Sequence, residues 1–132
     1  MKRIAVTQRV YETSSFGERR DALDQKWIEF LMSVDLLPVL LPNQLDCSQK
    51  IIKESQIDGV LFTGGNSLVR YGGDAPERDK LESSVLEWAM QENVPLLGIC
   101  RGMQVILDNF GNDLEVVLNH VGKRHALIVE EG

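Results

Sequence analysis

The sequence predicts an α/β fold in which a mostly parallel β-sheet is flanked by helices. Short apolar runs of strand length alternate with longer segments whose apolar residues recur at helical spacing, and this alternation is typical of parallel sheets covered on both faces. The length of 132 residues fits one domain, and 43% apolar residues are enough for a hydrophobic core. We therefore expect one domain over residues 1–132.

Four apolar runs are predicted to form the sheet. They cover residues 4–8, 37–41, 59–62 and 95–99, and a last strand is expected at residues 126–129. The Gly-rich segment after the third run, residues 63–75, is the longest irregular stretch. Because ligands bind outside the carboxyl ends of the strands in open α/β sheets, this loop is the first candidate for a functional site.

Four helices are predicted between the strands. Two are indicated by apolar residues at helical spacing, which are Leu23, Trp27, Leu31 and Val34 in the first helix and Leu81, Val85, Trp88 and Ala89 in the third. The third helix is expected to start with Asp74 as its cap, Pro76 in its first turn and Glu77 at its positive end. Residues 48–56 and 102–109 are expected to form the second and fourth helices.

Composition and charge argue against several classes of function. Twenty acidic against fourteen basic residues give a formal charge of -6, which disfavours binding to nucleic acid or to an anionic membrane. No apolar run is long enough to span a membrane and the N-terminus is too polar for a signal peptide, so we expect a cytoplasmic protein. Cys47 and Cys100 form no C-x-x-C or Cys/His cluster, which indicates neither a disulfide framework nor a metal site.

The most specific local pattern is Gly98-Ile99-Cys100-Arg101-Gly102, between an apolar strand and a predicted helix. This is the spacing of a nucleophile elbow, a sharp strand-to-helix turn that exposes its central residue, with Cys as the nucleophile. The two glycines are expected where strand and helix approach too closely for a side chain. At a helix N-terminus, the dipole and the free N–H groups favour a nucleophilic thiolate. The alternative is that Cys100 is a small buried residue.

A second glycine pattern, Phe62-Thr63-Gly64-Gly65-Asn66, ends the preceding predicted strand. Backbone N–H groups of such a turn can point at a developing oxyanion, although an ordinary turn has the same letters. The Gly64-Gly65 pair ends one strand and the Cys100 elbow follows the next. The sequence therefore places both patterns after consecutive strands of the predicted sheet.

Three segments together resemble a known family. Residues 59–66, Glu77-Arg78-Asp79 and residues 95–104 resemble the flavodoxin-like fold of class I glutamine amidotransferases, and more narrowly the γ-glutamyl hydrolase branch, which is peptidase C26-like. Thr7-Gln8-Arg9 and residues 21–27 further resemble a bacterial group that hydrolyses γ-glutamyl-CDP-amidate in capsule synthesis. The resemblance covers the whole chain and is most specific at the elbow.

The resemblance implies an enzyme that hydrolyses a γ-glutamyl amide bond of a small molecule and releases glutamate without a metal or organic cofactor. Cys100 would be the nucleophile that forms a thioester, and the backbone N–H groups of Gly65 and Arg101 would form the oxyanion hole. Gly64 and Gln104 would bind substrate. Without the motif, Gln104 would be interpreted as a solvated helix residue and the Arg101 side chain as a surface cation.

Three further charged residues allow two interpretations each. Arg78 and Asp79 are either a charge pair at a helix start or substrate contacts. Arg70, in the loop after the third strand, is either a solvated arginine or a contact for a phosphate or carboxylate group.

The base of this family, a His followed two residues later by Glu, has no counterpart in the chain. Gly122 and Leu127 stand two residues after the only histidines, His120 and His125, and both histidines come too soon after Cys100. The family's domain is also longer than this chain. We therefore expect residues 1–132 to be the N-terminal portion of the domain, with the C-terminal part missing.

Two alternatives to the hydrolase stay open. One is a glutaminase domain that supplies ammonia to a synthetase, and the other is a non-catalytic amidotransferase-like module that binds a ligand or a partner. A receiver domain is disfavoured because the first strand ends in Thr7-Gln8-Arg9 and not in clustered acidic residues. The sequence also leaves open whether the chain forms a homo-oligomer.

Overall fold

The structure is a computed structural model that describes residues 1–13 and 15–132. Its strands are β1 (Lys2–Val6), β2 (Arg9–Thr13), β3 (Glu18–Ala22), β4 (Leu36–Leu40), β5 (Gly59–Phe62) and β6 (Leu96–Gly98). Its helices are α1 (Gln25–Ser33), α2 (Leu45–Ser55), α3 (Pro76–Gln91) and α4 (Arg101–Asn109), and a short 3₁₀ helix covers Val69–Tyr71. This succession confirms the α/β class that the sequence predicts.

Four strands form one parallel sheet in the order β4-β1-β5-β6. β1 pairs with β4 and with β5, and β5 pairs with β6. The carboxyl ends of β1, β5 and β6 therefore share one edge of the sheet. Two hydrogen bonds join the first two of these ends, because the Thr63 hydroxyl donates to the Thr7 carbonyl at 2.7 Å and the Thr63 N–H donates to the Thr7 hydroxyl at 3.2 Å.

The sheet separates two apolar clusters. β5 is buried along its whole length because successive side chains of a strand point to opposite faces, and both faces are covered. On one face, Val60 and Phe62 pack with buried residues of α2, α3 and α4. On the other face, Leu61 packs with Val6 and with Leu31 of α1. Helices thus flank the sheet on both sides, as predicted.

The hairpin of β2 and β3 was not predicted from the sequence. Its strands pair antiparallel, with Arg9 opposite Ala22 and Thr13 opposite Glu18. Charged residues make up four of the five positions of β3 and two of the five of β2, and most side chains of both strands are exposed. A strand is recognised in a sequence by apolar alternation, and this hairpin has almost none because it buries little.

The helices lie close to their predicted positions, although α2 begins at Leu45 and not at residue 48. Two further helix ends also differ from the prediction. Asp24 caps α1 by accepting a hydrogen bond from the Lys26 N–H at 3.0 Å, and Val34, expected on the buried stripe, lies just beyond the helix and is exposed. Pro76 is the first residue of α3 as expected, but the residue before it, Ala75, takes the cap position assigned to Asp74. Within residues 1–13 and 15–132, every helix is too short or too polar to cross a membrane.

The strand predicted at residues 126–129 is wrong. Residues 112–132 contain turns and irregular backbone but no strand. Leu127, Ile128 and Val129 are each 88–90% exposed, so their apolar side chains pack against nothing in the described chain. A strand requires a hydrogen-bonding neighbour, and apolar sequence alone does not supply one.

Replacing Leu81 of α3 tests how much the larger apolar cluster contributes to the free energy of unfolding. It is fully buried, so Leu81→Ala should lower the free energy of unfolding by about 2–5 kcal/mol through lost burial and a cavity. Met90→Ala on the same helix is the control, because Met90 is 55% exposed and should cost much less. Urea unfolding measures both, and equal losses would contradict this packing.

Candidate active site

Cys100 lies between β6 and α4 at the carboxyl edge of the sheet, where it is the residue that precedes the first helical position. Its backbone has φ 55° and ψ −110°, a conformation that residues with a side chain rarely adopt and that costs on the order of 1–3 kcal/mol. The side chain is exposed. Cys100 is therefore not the small buried residue of the alternative interpretation, and the strand-turn-helix geometry of an elbow is present.

The two glycines beside Cys100 are required by close packing. A Cβ atom on Gly98 would fall 2.5 Å from the carbonyl carbon of Gly102, and a Cβ atom on Gly102 would fall 2.4 Å from the carbonyl oxygen of Phe62. Both contacts are with backbone atoms, which cannot move aside as a side chain can. The glycines thus let strand, turn and helix close around Cys100, as the sequence predicted.

The Gly64-Gly65 loop lies against the elbow. A Cβ atom on Gly64 would be 3.5 Å from the Cβ and 3.9 Å from the Sγ of Cys100. In the described part of the chain, the backbone N–H groups of Gly65 and Arg101 donate to no protein acceptor. Gly65 has φ +85°, in the left-handed region that glycine adopts most readily.

A buried guanidinium holds this loop from below. The Arg78 side chain is fully buried and donates to the carbonyl oxygens of Thr63 at 2.8 Å, Gly64 at 3.0 Å and Gly65 at 2.6 Å. The Gly64 carbonyl and the Gly65 N–H belong to one trans peptide group and point in opposite directions. Because Arg78 draws that carbonyl inward, the Gly65 N–H points away from the buried guanidinium.

A second buried arginine connects the elbow to the same network. Arg101 donates from its guanidinium to Glu82 at 2.9 Å and also to Asp79, while Arg78 donates to the other oxygen of Glu82 at 3.0 Å. Glu82 thus bridges the guanidinium beneath the Gly64-Gly65 loop and the guanidinium of the elbow residue. Burial lowers the pKa of Arg78, an effect that the negative charge of Glu82 opposes and the positive charge of Arg101 reinforces.

This network corrects two sequence interpretations. The Arg101 side chain is buried and is not a surface cation. Arg78 and Asp79 are not an isolated pair at the helix start, since Arg78 binds Glu82 and the loop carbonyls and Asp79 binds Arg101. The sequence held one indication of this network. Arg78 and Glu82 are four residues apart and therefore face the same side of α3.

The remaining candidates lie apart from this network. Gln104 is half-buried in the first turn of α4, one turn after Cys100. Arg70 is paired with Asp108 at 2.7 Å and Asp113 at 2.6 Å, so it already has two carboxylate partners and is not a free anion contact.

The two histidines lie in the irregular C-terminal segment. His120 and His125 are both exposed, and their rings stack on each other with centroids 4.4 Å apart. In the part of the chain that the structure describes, no three His, Cys, Asp or Glu side chains are grouped closely enough to hold a metal ion.

Comparison with known proteins identifies the family. Residues 4–130 match the model of the Peptidase C26 family. The chain belongs to the Peptidase C26 family. It is 34% identical to a γ-glutamyl-CDP-amidate hydrolase of Campylobacter jejuni, and the alignment covers 97% of this chain and 65% of the relative's length. The family resemblance drawn from the elbow and the Gly64-Gly65 loop is thereby confirmed.

Two further relatives have different named activities. A γ-glutamyl-γ-aminobutyrate hydrolase of Escherichia coli O157:H7 is 28% identical over 74% of this chain and 42% of its own length. A GMP synthase of Finegoldia magna is 39% identical over 59% of this chain and 14% of its own length. The chain thus spans about two thirds of the Campylobacter relative and less than half of the other two.

Glu82 tests whether the buried network stabilises the site. Glu82→Ala leaves two buried guanidinium groups without their shared carboxylate, so the free energy of unfolding should fall by about 3–5 kcal/mol. Glu87→Ala is the matched control, since Glu87 is exposed on the same helix and should change stability by less than about 1 kcal/mol. Chemical denaturation compares them, and a small loss for Glu82→Ala would show that the network does not stabilise the fold.

Proposed function

We propose that this chain supplies the nucleophile and the oxyanion-binding groups of an enzyme that hydrolyses a γ-glutamyl amide bond. The observation that carries the proposal is that Gly64 lies next to Cys100. A Cβ atom on Gly64 would be 3.9 Å from the sulfur of this exposed elbow cysteine. Acyl transfer requires backbone donors close to the nucleophile, and the contact between the Gly64-Gly65 loop and the elbow supports this assignment. Membership of the Peptidase C26 family supports the same chemistry.

In the proposed reaction, the Cys100 thiolate attacks the γ-carbonyl carbon of the substrate. The carbonyl oxygen becomes an oxyanion that accepts hydrogen bonds from the N–H groups of Gly65 and Arg101, which have no acceptor within the described chain. Collapse of the intermediate breaks the C–N bond, and the amine leaves with the proton that the thiol gave up. Water then hydrolyses the thioester, returning a proton to sulfur and releasing glutamate. We assign the proton transfers to no residue of this chain.

Three further residues support this reaction from the surrounding structure. Gly64 leaves room beside the sulfur for the acyl group, because any side chain there would lie against Cys100. Gln104, one turn into α4, is proposed to contact the glutamyl part of the substrate. Arg78 acts as a positioning residue, since it fixes the direction of the Gly65 N–H without reaching the reacting atoms.

Among γ-glutamyl amides, γ-glutamyl-CDP-amidate is the first candidate substrate. The Campylobacter relative named for it aligns with 97% of this chain at 34% identity. The second candidate function is a glutaminase that delivers ammonia to a synthetase, and the match to a GMP synthase favours it. Both functions use the same nucleophile and differ in the group that leaves.

Covalent labelling tests the nucleophile. A chloroketone analogue of glutamine should alkylate Cys100 at least tenfold faster than Cys47, because Cys47 is also exposed but lies on α2, outside the elbow. Peptide mass spectrometry locates the label, and Cys100→Ser should abolish it while Cys47→Ser does not. Equal labelling of the two cysteines, or none at Cys100, would refute the proposal.

Protection experiments then separate the two candidate functions. If the substrate is the nucleotide-linked amide, γ-glutamyl-CDP-amidate should slow the labelling of Cys100 at lower concentrations than L-glutamine. Protection by L-glutamine alone would favour the glutaminase.

A further inference from the structure

Arg9 lies across the Gly64-Gly65 loop on the side of the hairpin. It is the first residue of β2, and its side chain is exposed. A Cβ atom on Gly65 would fall 2.8 Å from the Nε and 2.9 Å from the Cζ of Arg9. The guanidinium therefore rests on the glycine that follows Gly64, which itself faces the Cys100 sulfur. Gly64 and Gly65 thus lie between the Arg9 guanidinium and Cys100.

Hydrogen bonds to the neighbouring residue fix this position. The Asn66 side chain accepts from the Val10 N–H at 2.8 Å and donates to the Val10 carbonyl at 2.9 Å. This pair ties the residue after Arg9 to the residue after Gly65. The placement of Arg9 beside the loop is thus set by the backbone and does not depend on a flexible side chain alone.

Arg9 differs from the other arginines of the hairpin in its partners. Arg19 binds Glu77 and lies 3.8 Å from Glu12, and Arg20 binds Glu18 at 3.0 Å. Arg9 has neither a salt bridge nor a side-chain hydrogen bond within residues 1–13 and 15–132.

The charge of Arg9 also adds to that of a second arginine. Its positive charge contributes to lowering the pKa of Arg78, after burial and the charge of Arg101. Arg78 directs its guanidinium at the carbonyl groups of the loop, and Glu82 neutralises it. Arg9 lies against the same loop from the side of the hairpin, and its side chain is exposed.

We propose that Arg9 binds an anionic group of the substrate next to Gly65 and thereby selects negatively charged γ-glutamyl amides. This inference rests on the proposed function. The planar guanidinium matches the two oxygens of a carboxylate or a phosphate, which it can bind in a bidentate manner. The anion is either the α-carboxylate of the glutamyl group or a phosphoryl group of the leaving part.

The charge preference of Cys100 alkylation tests the site without a γ-glutamyl substrate. In a Cys47→Ser background, the rates of alkylation by iodoacetate and by neutral iodoacetamide are compared by mass spectrometry. A positive charge next to the Gly64-Gly65 loop raises the rate at which the anionic iodoacetate reaches Cys100, so Arg9→Gln should lower the ratio of the two rates about threefold to tenfold. Arg9→Lys should keep part of the preference, because it keeps the charge.

Lys53→Gln is the matched control for net charge. Lys53 is exposed in the last turn of α2, before β5 begins and thus at the opposite edge of the sheet. Lys53→Gln should leave the ratio of the iodoacetate rate to the iodoacetamide rate unchanged. An unchanged iodoacetamide rate in Arg9→Gln shows that the elbow is intact, and an unchanged ratio in that variant overturns the proposal.

Protection from iodoacetamide identifies the source of the anion. If Arg9 binds the α-carboxylate, L-glutamine protects Cys100 better than its α-amide, L-glutaminamide, and Arg9→Gln removes the difference. If Arg9 binds a phosphoryl group, cytidine 5′-monophosphate protects Cys100 in the parent chain but not in Arg9→Gln. Protection by neither compound, or protection that persists in Arg9→Gln, contradicts the assignment.

The labelling experiment with the glutamine chloroketone separates the two proposals. An Arg9-dependent preference for iodoacetate without chloroketone labelling of Cys100 would reject the hydrolase and keep the anion site. Chloroketone labelling with a ratio that Arg9→Gln does not change would keep the hydrolase and reject the anion site.

Discussion

The carboxylate of Glu82 is shared by two buried guanidinium groups, and the candidate site depends on that sharing. Arg78 uses its other donors to hold three consecutive carbonyl groups of the loop after β5, and Arg101 is the residue next to Cys100. Buried charges are costly unless each is paired and hydrogen-bonded. Because one carboxylate serves both arginines, the positions of the Gly64-Gly65 loop and of the elbow are fixed relative to each other.

The same arrangement explains why polar residues can occupy the interior of this sheet edge. The loop carbonyls have no partners in the sheet, and an unpaired buried carbonyl would destabilise the fold. Arg78 satisfies them and turns the Gly65 N–H outward. The strained backbone of Cys100 is held between two glycines that pack against backbone atoms. Stability and the preparation of the site thus rest on the same contacts.

Local patterns in the sequence were enough to predict the sheet, the helices and the elbow, because each depends on apolar periodicity or on glycine at a close contact. The buried network could not be predicted in this way, since Arg78, Glu82 and Arg101 have the composition of a solvated helix face and only tertiary packing buries them. The β2–β3 hairpin was not predicted for a different reason, since it buries little and therefore lacks the apolar alternation of a buried strand. The strand predicted at residues 126–129 is the opposite case. Its apolar residues indicated a strand, but they are exposed and pair with no other strand.

A double-mutant cycle between Arg78 and Arg101 tests the central claim most directly. Arg78→Met, Arg101→Met and the double variant are compared by their free energies of unfolding in urea. If Glu82 couples the two arginines, the losses of the single variants will not add, and the interaction energy will be at least about 1 kcal/mol. Additive losses within about 0.5 kcal/mol would show that loop and elbow are held independently, and would contradict the account.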